Sequence, residues 1–159
     1  MPTPYPNPEA ELLVIGYGNT LRQDDRAGPV VAATIESYAL PGVRTMVCHQ
    51  LAPEHAEPVA QARAVVFVDA HAGPGWAVCL RRIQAGESSQ VTTHAAEPRT
   101  LLALAREVYG RAPTAWMLTV PAERMGFGTD LSEVTRRGVD VAVSKVVKLA
   151  RMKPVVTVA

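Results

Sequence analysis

Cysteine is scarce in this chain: there are only two in 159 residues, Cys48 and Cys79. They lie far apart without a C-x-x-C spacing, which argues against a zinc knuckle or a thioredoxin-like motif. Both sit in apolar contexts and are expected to be ordinary buried thiols. An excess of charge of one sign is also missing, since 16 Lys and Arg against 15 Asp and Glu leave a net charge of +1. The charges are interspersed, so no basic stripe or acidic tail speaks for nucleic acid or membrane lipid as a partner. No apolar run approaches the roughly 20 residues that span a bilayer. The start, "MPTPYPNPEAE", alternates proline with other residues and lacks a basic region followed by an apolar stretch, so neither a signal peptide nor an anchor is expected. A soluble cytoplasmic protein follows from these absences. Two catalytic motifs are absent as well: no G-x-S-x-G elbow and no H-E-x-x-H helix occur, which removes sequence support for a serine hydrolase of the usual α/β kind and for a zincin.

The chain is 48% hydrophobic with 5% aromatics, enough for one compact domain and too short for a separate substrate domain. That domain is expected over 11–152, preceded by a flexible proline-rich arm at 1–10 and followed by a tail at 153–159. Short apolar runs recur at 11–16, 43–48, 63–70, 76–83 and 114–121, several of them continuous rather than alternating, as strands covered on both faces should be. Helical patterns fall between or after them at 28–38, 53–62, 97–110 and 131–152. Pro98 suits a first turn, Gly110 a C-terminal stop, and Ser132 with Glu133 the start of the last helix. The alternation predicts an α/β three-layer sandwich, a twisted, mainly parallel five-stranded sheet with helices on both faces. A flavodoxin-like order 2-1-3-4-5 places the first and third strands side by side.

The stretch "LLVIGYGNTLRQDDRAGPVV" (12–31) carries the chemistry. Gly16 and Gly18 follow the first strand as in a dinucleotide fold, but Leu21 stands where a G-x-G-x-x-G fingerprint needs its third glycine. Asp24 and Asp25 would also repel a pyrophosphate at a helix N-terminus. One of the two can cap the helix beginning near Gly28, which is worth about 0.5 to 2 kcal/mol. Both cannot serve one cap, so a carboxylate is left over at the carboxyl end of the strand. "VVFVDA" puts Asp69 at the end of an apolar strand, where an ionised carboxylate is costly unless it is partnered or at the rim. With the first and third strands adjacent, Asp25 and Asp69 face one crevice.

Of four histidines, His94 in "VTTHAAEPR" is the best placed, preceding a helix on the carboxyl side of the fourth strand. Two carboxylates and an imidazole suit nickel, zinc or non-haem iron with open positions. His71 is a supporting group or substitute ligand, while His49 and His55 read as structural or surface residues. Cys48 beside His49 is a poor nucleophile pair, because neighbours along a strand point to opposite faces.

"VIGYGNTLRQDDRAGPVVA", "HQLAPEHAE", "VVFVDA" and "THAAEPRTLLALA", in this order and spacing, resemble the hydrogenase maturation proteases over about residues 11–150. Those endopeptidases remove a C-terminal extension from the large subunit of nickel–iron hydrogenase. The resemblance implies that Asp25, Asp69 and His94 bind nickel already inserted in the large-subunit precursor, so that the enzyme itself is metal-free at rest. It also implies cleavage of one peptide bond beyond the substrate's last metal-binding motif. Hydrolysis has two routes, a metal that polarises the carbonyl or activates water, and a carboxylate base for which Asp24 is the candidate.

Arg26 departs from the family, which commonly has glycine there. It either lowers the pKa of Asp25 or pairs with acidic groups of the substrate, and it fits poorly if the turn needs positive φ. "TVPAERMGFGTDLS" favours the members that process soluble or NAD-linked hydrogenases, and a monomer is expected. The alternative from another class is a flavodoxin-like metal- or small-molecule-binding module without peptidase activity.

Overall fold

The computed structural model describes residues 10–73, 75–87 and 97–152. The expected arm and tail fall almost wholly outside these residues, as does His94. The described chain forms strands β1 (Ala10–Tyr17), β2 (Val43–Cys48), β3 (Ala62–His71), β4 (Cys79–Ile83) and β5 (Thr114–Pro121). Its α-helices are α1 (Ala27–Ser37), α2 (Ala56–Gln61), α3 (Pro98–Tyr109) and α4 (Glu133–Arg151), with 3-10 turns at Gln23–Arg26 and Pro53–His55. Pro98 opens α3, Gly110 closes it at φ 81°, and the Ser132 hydroxyl caps α4 by accepting from the Thr135 N–H, each as the sequence predicts. The helix expected over 53–62 is shorter, because its first residues wind as a 3-10 turn before α2 begins.

The five strands form one sheet in the order β2-β1-β3-β5-β4, parallel throughout except β4, which runs antiparallel to β5. The mainly parallel sandwich is therefore present, and β1 and β3 are neighbours as expected. The order differs from 2-1-3-4-5 at the far edge. Only residues 72–78 separate β3 from β4, whereas a parallel return needs a crossover of a dozen or more residues. The chain therefore turns back on itself, and α3 makes the crossover that sets β5 beside β3.

Alternate residues of the central strands feed two cores. Leu13, Ile15, Val65 and Phe67 pack with α2 and α3 on one face. Val14, Val66, Val68 and Leu118 pack with α1 and α4 on the other. These runs are fully buried because both faces are covered, which is why they read as continuous rather than alternating. Among the described residues no helix is long and apolar enough to cross a membrane.

Candidate functional site

The site begins with a close approach of backbones. A Cβ on Gly16 would lie 2.0 Å from the Gly28 carbonyl oxygen, and one on Gly28 would lie 2.3 Å from that of Val68. The start of α1 thus sits directly on β1 and β3, closer than any side chain permits. Gly18, at φ 151°, has no room for a Cβ either, which would fall 2.0 Å from the Asp25 carbonyl oxygen. These glycines serve helix-to-sheet packing rather than a phosphate cradle. They seat the turn Asn19–Asp25 over the carboxyl ends of the parallel strands.

Asp25 is fixed in that turn: its Oδ2 accepts from the Asn19 N–H at 2.6 Å, while Asn19 Oδ1 accepts from the Leu21 N–H at 2.9 Å. Asp69, half-buried near the end of β3, lies close enough to sense it. Burial first, and then the negative charge of Asp25, push the Asp69 carboxyl from 3.8 up to about 6, against hydrogen bonds from the Ala70 N–H and Tyr17 that pull it down. The structure places these two carboxylates close enough to interact electrostatically.

Tyr17 is a site residue that sequence reasoning missed. It is buried at the last position of β1, opposite Cys48 of β2. Burial, and then the charge of Asp69, raise its pKa well above the phenol range, so it stays protonated as a donor. Its hydroxyl reaches both Asp69 and, at 4.0 Å, Met117 Sδ. A carboxylate is the stronger acceptor of the two. The signal was available: Tyr17 is the only polar-tipped residue in "LLVIGY", two positions from Ile15 on the same strand face.

Asp24 does something else. It is wholly buried, with Oδ2 accepting from the N–H groups of Glu123 at 2.8 Å and Arg124 at 2.7 Å and from the Ser132 hydroxyl at 2.7 Å. Its Oδ1 accepts from the Ser132 N–H at 2.7 Å. Burial pushes its carboxyl up, but the donated bonds outweigh that and hold it at about 2. A carboxylate so saturated and so weakly basic is a poor general base, and it caps no turn of α1. Instead it ties residues 122–132 to the Asp25 turn.

Arg26 is explained by the same tie. It has ordinary helical backbone at φ −71°, so no left-handed turn is required of it, and its guanidinium donates to the Thr129 carbonyl.

The remaining candidates sort quickly. His49 is exposed, and His55 Nδ1 accepts from the Ala52 N–H at 2.9 Å, a structural role. Cys48 is half-buried with its thiol pKa raised by burial, but Cys79 is exposed, contrary to expectation, because β4 is an edge strand. His71 is exposed at the end of β3. Among the described residues no three of His, Cys, Asp or Glu converge to hold a metal ion, so His71 does not complete the carboxylate pair.

The fourth strand does not lead to the rim that the sequence pattern predicts for the segment before α3. The carboxyl end of β4, Ile83, pairs with Ala115 at the amino end of β5, on the opposite rim from Asp69. It is Glu97, at the head of α3, whose charge reaches Tyr17.

No protein-family model and no curated protein matches the chain. Solved structures do match it. A [NiFe] hydrogenase maturation protease, HycI, from Thermococcus kodakarensis superposes with a TM-score of 0.70 at 20% identity, over 90% of this chain and 94% of that one. The hydrogenase maturating endopeptidase HybD from E. coli gives 0.70 at 17%, over 89% and 92%. A hydrogenase 2 maturation peptidase from a Thaumarchaeota archaeon gives 0.67 at 21%, over 90% and 99%. The chain has the fold of these proteins over nearly its whole described length.

Proposed function

We propose that this protein is an endopeptidase of hydrogenase maturation, which removes the C-terminal extension of a nickel-loaded [NiFe] hydrogenase large-subunit precursor. The observation that carries the reading is the carboxylate pair. Asp69 is held at about 6 by burial and by Asp25, an arrangement that is costly by itself and is relieved by a cation between the two. The shared fold with proteins described as maturation proteases supports it. Asp25 and Asp69 would hold the nickel, with His94 as the third ligand, three residues before Glu97. Three residues reach at most about 10 Å, which is compatible with an imidazole from that segment meeting the crevice.

Nickel here belongs to the substrate, and bound there it supplies an anchor that only a nickel-loaded precursor carries. This chain's own residues orient and recognise: the Asn19 N–H fixes Asp25, and the Tyr17 hydroxyl fixes Asp69. A carboxylate pair near neutral charge balance with a divalent ion discriminates loaded from empty precursor. With Asp24 committed to four hydrogen bonds, it takes no part in proton transfer.

The test is processing of a purified large-subunit precursor. Asp25→Ala and His94→Ala should lower the rate by at least about 100-fold while leaving the fold intact, and nickel-free precursor should remain uncut. Binding of a metal or small molecule without shortening of any loaded precursor would establish the non-catalytic module instead.

A further inference from the structure

One register row crosses the whole sheet at the level of Asp69. Cys48 of β2 pairs with Tyr17 of β1, Asp69 of β3 pairs with Thr119 of β5, and Thr119 pairs with Cys79 of β4. Gly16 lies opposite Val68, which puts Tyr17 level with Asp69 as well. Paired residues point to one face of a sheet, here the face on which Ile15, Phe67 and Met117 pack two positions earlier on their strands. Burial differs sharply to either side of Asp69. Toward β1 the row is closed by the buried Tyr17, whereas toward β4 it opens through the half-buried Thr119 to the exposed Cys79. The Thr119 backbone stands about 4.8 Å from that of Asp69, the spacing of neighbouring strands. Asp69 takes its hydrogen bonds from Ala70 and Tyr17 and none from Thr119. Among the described residues the Thr119 hydroxyl has no hydrogen-bond partner.

We infer that the Thr119 hydroxyl binds the substrate peptide, donating a hydrogen bond to the carbonyl oxygen of the bond that is cut. The inference rests on the peptidase reading and deepens it. Under that reading the cut follows the motif whose nickel is held by Asp25 and Asp69, and the side of Asp69 left open to a peptide is the side of Thr119. A carbonyl oxygen placed there needs a donor. Ionised carboxylates only accept, the Tyr17 hydroxyl is committed to Asp69, and the Cys79 thiol is a weak donor. Thr119 is the remaining strong donor of the row. Water adding to the carbonyl carbon leaves negative charge on this oxygen, and a hydroxyl fixed in advance stabilises it without the reorientation that solvent requires. Thr119 keeps its proton throughout and forms no covalent bond.

Thr119→Val removes the hydroxyl and keeps both the shape and the β-branching that a strand favours, so the thermal midpoint should not fall. Its kcat on the nickel-loaded large-subunit precursor should drop about tenfold or more, with KM within about twofold of the parent, because the bond strengthens as charge develops. Thr119→Ser, which keeps the hydroxyl and loses the methyl, should recover most of the rate. An unchanged kcat in Thr119→Val overturns the assignment and leaves the peptidase reading intact. A Thr119→Ser variant as slow as Thr119→Val shows that the methyl packing mattered and also overturns it. A rise in KM with kcat unchanged places the hydroxyl away from the reacting carbonyl, and the proposal fails. A parent protein that never cuts loaded precursor sinks the peptidase reading and this inference with it.

Discussion

Two residues of the site are in positions where the surrounding atoms leave little choice. Gly18 has no space for a Cβ against the Asp25 carbonyl, so Gly18→Ala must push the Asp25 turn away from the crevice. A cost of about 1 to 3 kcal/mol in stability is expected from this overpacking, with a larger loss in precursor processing than the stability loss explains; urea denaturation beside a cleavage assay measures both.

Asp69 has the opposite character, since it is destabilising as it stands. Its folded pKa of about 6 exceeds the ordinary 3.8, so between about pH 4 and 6 the folded chain binds more protons than the unfolded one. Stability therefore falls as pH rises through that window. Asp69→Asn should be more stable than the parent by about 1 to 3 kcal/mol at pH 8 after allowance for solvent screening, and the two should converge near pH 4. Parallel denaturation curves at pH 4 and 8 decide it, and a variant no more stable at pH 8 would refute the assigned cause.

At the scale of elements, the notable unit is the pairing of the Asn19–Arg26 turn with residues 122–132. Asp24 accepts four hydrogen bonds across it, and Arg26 adds one to Thr129. Asp24→Ala would remove all four of these bonds and leave the buried Ser132 N–H without its acceptor, while the Ser132 hydroxyl keeps Thr135 Oγ1 as a partner at 3.0 Å; a loss of about 1 to 3 kcal/mol is expected, measured by urea denaturation. The pH dependence has a definite sign. Because the folded pKa of about 2 lies below 3.8, this carboxylate contributes stability that is fully present above about pH 4 and is lost as the pH falls through about 2. The window corresponds to about 2 kcal/mol. Acid denaturation of Asp24→Asn should accordingly be flatter than that of the parent below pH 4, as followed by circular dichroism.

The pairing also explains why the acidic doublet misleads when read alone. One aspartate faces the crevice and the other faces the interior, because consecutive residues of a 3-10 turn point in different directions.

Across the whole molecule, the sandwich, its parallel centre and the meeting of Asp25 with Asp69 were legible from strand and helix periods and from where each strand ends. Tyr17 was legible in principle, as the polar tip of an apolar strand, and was overlooked because strand position alone does not say what a hydroxyl meets. The edge order was misjudged although the short 72–78 connection already forbade a parallel return. What the sequence by itself determined is the local pattern: which runs are buried on both faces, where helices start and stop, and that glycines and carboxylates cluster at one strand end. Only the tertiary structure decided the division of labour between Asp24 and Asp25 and the partner of Arg26. Those depend on residues 122–132 folding back over the turn a hundred positions earlier, and no local periodicity encodes a contact of that separation.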